Sequence, residues 1–173
     1  MTGRPLPPFD PLAALNVLER HGVRYVVIGA IAGRLLGSPT VTRDLDICYA
    51  RDDANLEALA SALQEVHARL RGVDEDVPFM LDARTLRNGD SFTFETDAGD
   101  LDILGTPAGT NGYAELLRTA EELDLGGLTI RVASIDALIQ MKRAAGRPKD
   151  LIEVEVLAAL REESDRGPQP STD

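Results

Sequence analysis

The chain reads as an α/β protein, a mixed sheet flanked by helices and ending in a short helical extension. Three observations predict it. Tyr25 to Ile28 is an apolar, β-branched run that stops at Gly29. Asp44 to Tyr49 and Asp100 to Leu104 are strand-like runs in which carboxylates alternate with apolar residues. Between and after them lie segments with leucines at helical spacing, bounded by capping residues and glycines.

The elements follow in order. Asp10 caps a helix opened by Pro11, with Leu12, Leu15 and Leu18 as its apolar stripe and His21-Gly22 as its end. After the strand at residues 25–28, Ala30 to Leu36 reads as a short helix closed by Gly37-Ser38-Pro39. The strand Asp44 to Tyr49 comes next. Asp52 or Asp53 then caps a long helix carrying Leu56, Leu59, Leu63, Val66 and Leu70 on one face, with Gly72 beyond it. Val73 to Asp90 is the least patterned stretch, read as one strand-like piece at 77–81 and a turn.

Ser91 to Thr96 and Asp100 to Leu104 form a predicted hairpin around Asp97-Ala98-Gly99. Tyr113 to Ala120 is helical, and residues 122–125 and 128–132 flank Gly126-Gly127 as a second hairpin. Ser134 caps a helix running through Ala145 to Gly146, and Pro148 opens a last helix to about Leu160. Residues 1–161 read as one domain, and the polar tail 162–173 as disordered.

Composition narrows the function. The chain has 173 residues, 43% hydrophobic and 27% charged, without tryptophan, which fits one globular domain with an aliphatic core. A lone Cys48 cannot form an internal disulfide, and no apolar run is long enough to span a bilayer, so a cytoplasmic location is expected and no membrane partner. The net charge of -11 argues against a non-specific nucleic-acid coat, though a local basic patch stays open. No Ser/His/Asp triad and no Walker-type glycine loop is visible, and His21 and His67 lack partners at metal spacing.

Chemistry concentrates in a few positions. Asp44 and Asp46 share one face of their strand while Leu45 and Ile47 turn to the core. Side-by-side carboxylates repel, and Mg²⁺ offsets that with one or two carboxylates plus phosphate oxygens. Gly29 at a strand-to-helix turn presents backbone N–H groups suited to phosphate. Asp100 and Asp102 repeat the paired pattern, and Asp102, with apolar neighbours on both sides, is the better third carboxylate. Lys142, Arg143, Arg147, Lys149 and Asp150 gather around the break between the last two helices. Lys142 is a candidate triphosphate clamp, and Asp150 either caps its helix or orients Lys142 or Arg147. Arg43, beside the aspartate pair, is a further phosphate candidate.

Gly29-Ala30, then Asp44-Leu45-Asp46, then Asp102, resembles the signature of DNA polymerase beta-type nucleotidyltransferases. The run from Ser134 to Leu151, with Lys142 and Asp150, is similar to the lysine-then-aspartate motif of AbiEii-like proteins. Those are toxins of type IV toxin–antitoxin systems and include the MenT tRNA nucleotidyltransferases. The resemblance covers about Leu12 to Leu160 and implies the nucleotidyltransferase fold.

It also implies roles. Asp44, Asp46 and Asp102 would hold Mg²⁺ or Mn²⁺, and Asp102 could instead act as base. Lys142 would contact the triphosphate and Asp150 would be an active-site acid. Gly29, the Ala30 amide and Arg43 would meet the nucleotide, and Arg143, Arg147 and Lys149 an RNA. Ala30 stands where the family has Gly or Ser, and its backbone N–H remains. The implied activity is transfer of a nucleoside monophosphate from an NTP to a hydroxyl, with the 3′ end of tRNA as preferred acceptor and an antitoxin as partner.

Two alternatives stay open. One is modification of a small, aminoglycoside-like molecule or a protein side chain, which the acidic surface favours and which scattered basic residues would support. The other is a non-catalytic member that binds nucleotide or a partner protein, which Ala30 allows.

Overall fold

The computed structural model describes residue 5 and residues 7–167. Helix α1 (Pro11–Arg20) starts where expected, with the Asp10 carboxylate accepting the Ala13 N–H at 3.0 Å. Leu15 and Leu18 enter the core, whereas Leu12 stays exposed. Strand β1 (Tyr25–Ile28) is buried along its length and runs directly into α2 (Gly29–Leu35). Strand β2 (Asp44–Tyr49) follows, then α3 (Asp53–Glu65), capped by Asp52.

Here the structure corrects the sequence reading. The long helix stops at Glu65 rather than Leu70. His67 takes the left-handed conformation (φ +52°) and the Ala68 N–H returns to the Leu63 carbonyl at 3.0 Å, a Schellman-type end built without glycine. Arg69–Leu70 becomes the short edge strand β3. Residues 77–81 form no strand, and a helix that the sequence reading did not contain, α4 (Ala83–Asn88), starts at the Asp82 cap.

The remaining order is β4 (Ser91–Thr96), β5 (Gly99–Leu104), α5 (Tyr113–Thr119), β6 (Glu121–Asp124), β7 (Thr129–Val132), α6 (Ile135–Ala145) and α7 (Pro148–Arg166). Ser134 caps α6 and Gly146 ends it in the left-handed conformation, as the sequence predicts. Helix α7 continues six residues beyond Leu160, so residues 162–166 are helical, while residues 168–173 of the expected tail lie outside the described residues.

The strands make one mixed seven-stranded sheet in the order β3-β4-β5-β2-β1-β7-β6. β2 lies between antiparallel β1 and parallel β5, so both aspartate-bearing strands are central neighbours. Val26, Val27, Ile47, Ile103 and Phe94 are fully buried and share one core with Leu56, Leu59 and Leu63 of α3 and Leu138 of α6. Strand alternation then leaves Asp44, Asp46, Asp100 and Asp102 half-buried on the polar face. None of the described helices is long and apolar enough to cross a membrane.

Candidate active site

The parallel register of β2 and β5 sets Asp44 beside Asp100 and Asp46 beside Asp102. Across the hairpin, Glu95 opposes Asp100 and Thr93 opposes Asp102. The polar face therefore carries two rows. One holds Asp44, Asp100 and Glu95, with Arg69 of β3 opposite Glu95 and Arg71 3.4 Å from Asp100. The other holds Asp46, Asp102 and Thr93.

Asp46 also opposes Ile28, the last residue of β1, and this explains the glycine that follows. Gly29 has φ +71°, and a Cβ there would lie 2.1 Å from Asp46 Oδ2. Only glycine gives both the left-handed turn and room for the carboxylate.

Burial is the largest influence on Asp46 and pushes its carboxyl up to about 7; the charge of Asp102, a hydrogen bond to it and the charge of Asp44 add to this, and Lys142 opposes. Asp100 is also raised, by partial burial first, with Arg71 opposing and Asp44, Glu95 and Asp102 reinforcing.

The other wall of the cleft comes from the α6–α7 joint. Asp150 is 1% exposed. Its Oδ2 accepts the Arg147 Nε–H at 2.7 Å and the Arg147 backbone N–H at 3.2 Å, closing a capping box on α7. Lys142 Nζ stands 3.5 Å from Asp150 Oδ1. The hydrogen bond from Arg147 holds the Asp150 carboxyl below the ordinary carboxylate range, against its burial, and the charge of Lys142 helps. Asp150 thus caps the helix and orients both cations. Further along α7, buried Glu153 accepts from Ser38 Oγ at 2.9 Å and Thr40 Oγ1 at 2.6 Å, tying the approach to β2 to the same helix.

Gly29, Asp46, Asp102, Lys142, Arg147 and Asp150 line one cleft of about 240 Å³, with Ser91, Thr93 and Met141. The other expected residues are outside its lining. Asp44 sits one row along the same face. Ala30 is in the first turn of α2. Arg43 is exposed and lines a separate small cleft with Pro7, Phe9, Gly99 and Asp100. Arg143 and Lys149 are exposed on α6 and α7.

The sequence reading missed Arg71, which donates from Nη2 to Asp102 Oδ1 at 2.7 Å. A helix drawn through Leu70 hid it. Thr93 was visible as the polar alternate to Phe92 and Phe94, but its place opposite Asp102 depends on register.

Among the described residues no three His, Cys, Asp or Glu side chains are set to hold a metal ion. Two carboxylates are enough for Mg²⁺ or Mn²⁺ that arrives with phosphate oxygens. Asp46 and Asp102 fit that donor set, and a divalent cation would relieve the repulsion between their neighbouring charges.

No protein-family model and no curated protein matches the chain. Solved structures do. The lincosamide antibiotic adenylyltransferase LnuA, bound to lincomycin, aligns over 87% of this chain and 95% of its own at 16% identity and a TM-score of 0.58. A Thermotoga maritima structure described as a nucleotidyltransferase aligns over 90% and 91%, at 17% identity and TM-score 0.53. The antibiotic-resistance factor ANT(2'')-Ia aligns over 90% and 89%, at 15% identity and TM-score 0.51. The chain has the fold of these nucleotidyltransferases.

Proposed function

We propose that this protein transfers a nucleoside monophosphate from an NTP to a hydroxyl of a small, cationic acceptor. The observation that carries the transfer reading is one cleft in which Asp46 and Asp102 face Lys142 and Arg147. Asp46 and Asp102 would hold Mg²⁺ or Mn²⁺, which supplies charge stabilisation for the transferring phosphoryl group. Lys142 would bind the triphosphate as a compact charge, with Asp150 holding it in place. Arg147, with a fork already anchored on Asp150, would meet phosphate from the open side. Gly29 lets the chain turn beneath Asp46 without crowding the carboxylate.

The acceptor follows from the second row. Asp44, Asp100 and Glu95 continue the polar face beyond the cleft, Arg71 meets only Asp100 among them at 3.4 Å, and an ammonium-bearing molecule would neutralise the acidic charge that is left. An RNA acceptor needs Arg43, Arg143, Arg147 and Lys149 on one approach. Arg43 lines a different small cleft from Arg147, which favours a small acceptor over the tRNA 3′ end and the antitoxin partner that the family resemblance implies. LnuA, on the same fold, is an adenylyltransferase of lincosamide antibiotics, so the fold accommodates a small acceptor.

The test is incubation with Mg²⁺ and each α-labelled NTP, offered either a panel of polyamino hydroxyl compounds or total RNA. Label should move to a small acceptor. Label on RNA 3′ ends would restore the RNA reading, and no transfer with intact NTP binding would leave a non-catalytic binder.

A further inference from the structure

Arg71 comes to the carboxylate face from the β3 edge of the sheet. Its N–H donates to the Thr93 carbonyl at 2.9 Å, extending the ladder with β4 by one bond and fixing the backbone. Its Nη2 donates to the Phe94 carbonyl at 3.0 Å as well as to Asp102 Oδ1 at 2.7 Å. Its Nε lies 3.4 Å from Asp100 Oδ2 and, among the described residues, is the buried side-chain polar atom without a hydrogen bond. One guanidinium therefore spans both acids of β5. A lysine, as a point charge, would not reach both in this way.

Two effects of this contact oppose each other. The guanidinium holds Asp102 in one orientation, which favours a ligand. It also places a positive charge against a carboxylate proposed to bind a dication. Ordering one short carboxylate side chain is a small entropic gain. Repulsion between a single and a double charge at a half-buried site is larger. Charge should win.

We propose that Arg71 is a resident counter-ion that sets the cation affinity of the site, so that a divalent metal is retained only together with the phosphates of a nucleotide. The proposal rests on the metal-nucleotide reading given above. It makes the phosphates part of the metal's binding site, because they supply the negative charge that Arg71 cancels at Asp102. Arg71 is a positioning residue in this scheme, acting on substrate through Asp102.

The experiment is Mn²⁺ titration of the full chain at fixed pH and ionic strength, followed by water-proton relaxation, with and without a non-hydrolysable NTP analogue. Wild type should bind bare Mn²⁺ weakly and bind it far better with the analogue. Arg71→Gln and Arg71→Met should each tighten bare Mn²⁺ binding about tenfold and narrow the gap between the two conditions. Arg71→Lys, which keeps the charge, should stay near wild type. Neutral variants that bind bare Mn²⁺ no tighter than wild type overturn the proposal while leaving the metal-nucleotide reading intact. A wild type that takes no Mn²⁺ even with the analogue overturns both. If far-UV circular dichroism shows both neutral variants unfolded, Arg71 is a structural residue and the proposal fails.

Discussion

Two carboxylates, half-buried Asp46 and buried Asp150, stand on opposite walls of the same cleft, and their environments push them in opposite directions. Asp150 is almost fully buried and stays ionised, because Arg147 and Lys142 belong to the same wall. Among the described residues Asp46 has no ion-pair partner of its own; burial raises its carboxyl to about 7, and the charges of Asp102 and Asp44 add to the rise. Burial alone does not decide a carboxylate's state. What decides it is whether the fold supplies the counter-charge. Asp150 has its cations built in and serves the architecture. Asp46 lacks one, as expected of a group that works with a cation from solution.

Four experiments test the contrast between Asp46 and Asp150. The largest effect is expected for Asp46→Asn. Transfer should fall by about 10³-fold, since one charge proposed to hold the metal against the transferring phosphoryl would be gone. The fold should survive, because the side chain faces the cleft. A melting curve near wild type together with wild-type turnover would refute the role of Asp46.

Next is Asp150→Ala. It leaves Lys142 and Arg147 unanchored and removes the α7 capping box, so stability should drop by about 2 kcal/mol, discounted for the exposure of Arg147. The sign of the pH dependence follows. A lowered folded pKa contributes stability above the unfolded value near 4 that is lost as pH falls through the folded value. Wild type should therefore lose its advantage over Asp150→Ala on acidification, as denaturant midpoints between pH 6 and pH 2 would show.

Asp46 carries the opposite sign. Its raised pKa gives stability that is complete below about pH 4 and lost as pH rises through about 7. Metal-free wild type should melt several degrees lower at pH 8.5 than at pH 5.5. Asp46→Asn should flatten that slope, and Mg²⁺ with a non-hydrolysable NTP analogue should offset it in wild type. A slope unaffected by Asp46→Asn would mean that another group titrates.

The smallest effect is expected outside the cleft. Arg43→Ala should leave NTP affinity and transfer to small acceptors within about twofold, because Arg43 lines a separate cleft. A large loss of NTP affinity would put Arg43 back among the nucleotide contacts.

Much of this was legible without coordinates. The caps at Asp10, Asp52 and Ser134 and the glycine end at Gly146 are local devices, set by residues within a turn of each other. The facing of Asp44 and Asp46 follows from strand alternation alone. The end of α3 was not legible, since the left-handed residue there is His67 and no glycine marks it. The error carried forward. With the helix drawn through Leu70, Arg69–Leu70 could not be seen as an edge strand, and Arg71 could not be placed at the carboxylates.

The mixed α/β class, the two aspartate strands and the gathering of cations before the last helix follow from the amino-acid order alone. Each rests on periodicity or on neighbours in the chain, where local sterics and hydrogen bonding act. The pairing of Asp46 with Asp102 and of Asp44 with Asp100, the reach of Arg71 to both acids of β5, and the places of Arg43 outside the cleft and Arg147 within it emerge only on folding. Those are matters of strand register and long-range packing. A shift of one residue in the β2–β5 pairing, in either direction, would put Asp46 and Asp102 each beside an apolar neighbour, and nothing local to either strand states which register the whole core will choose.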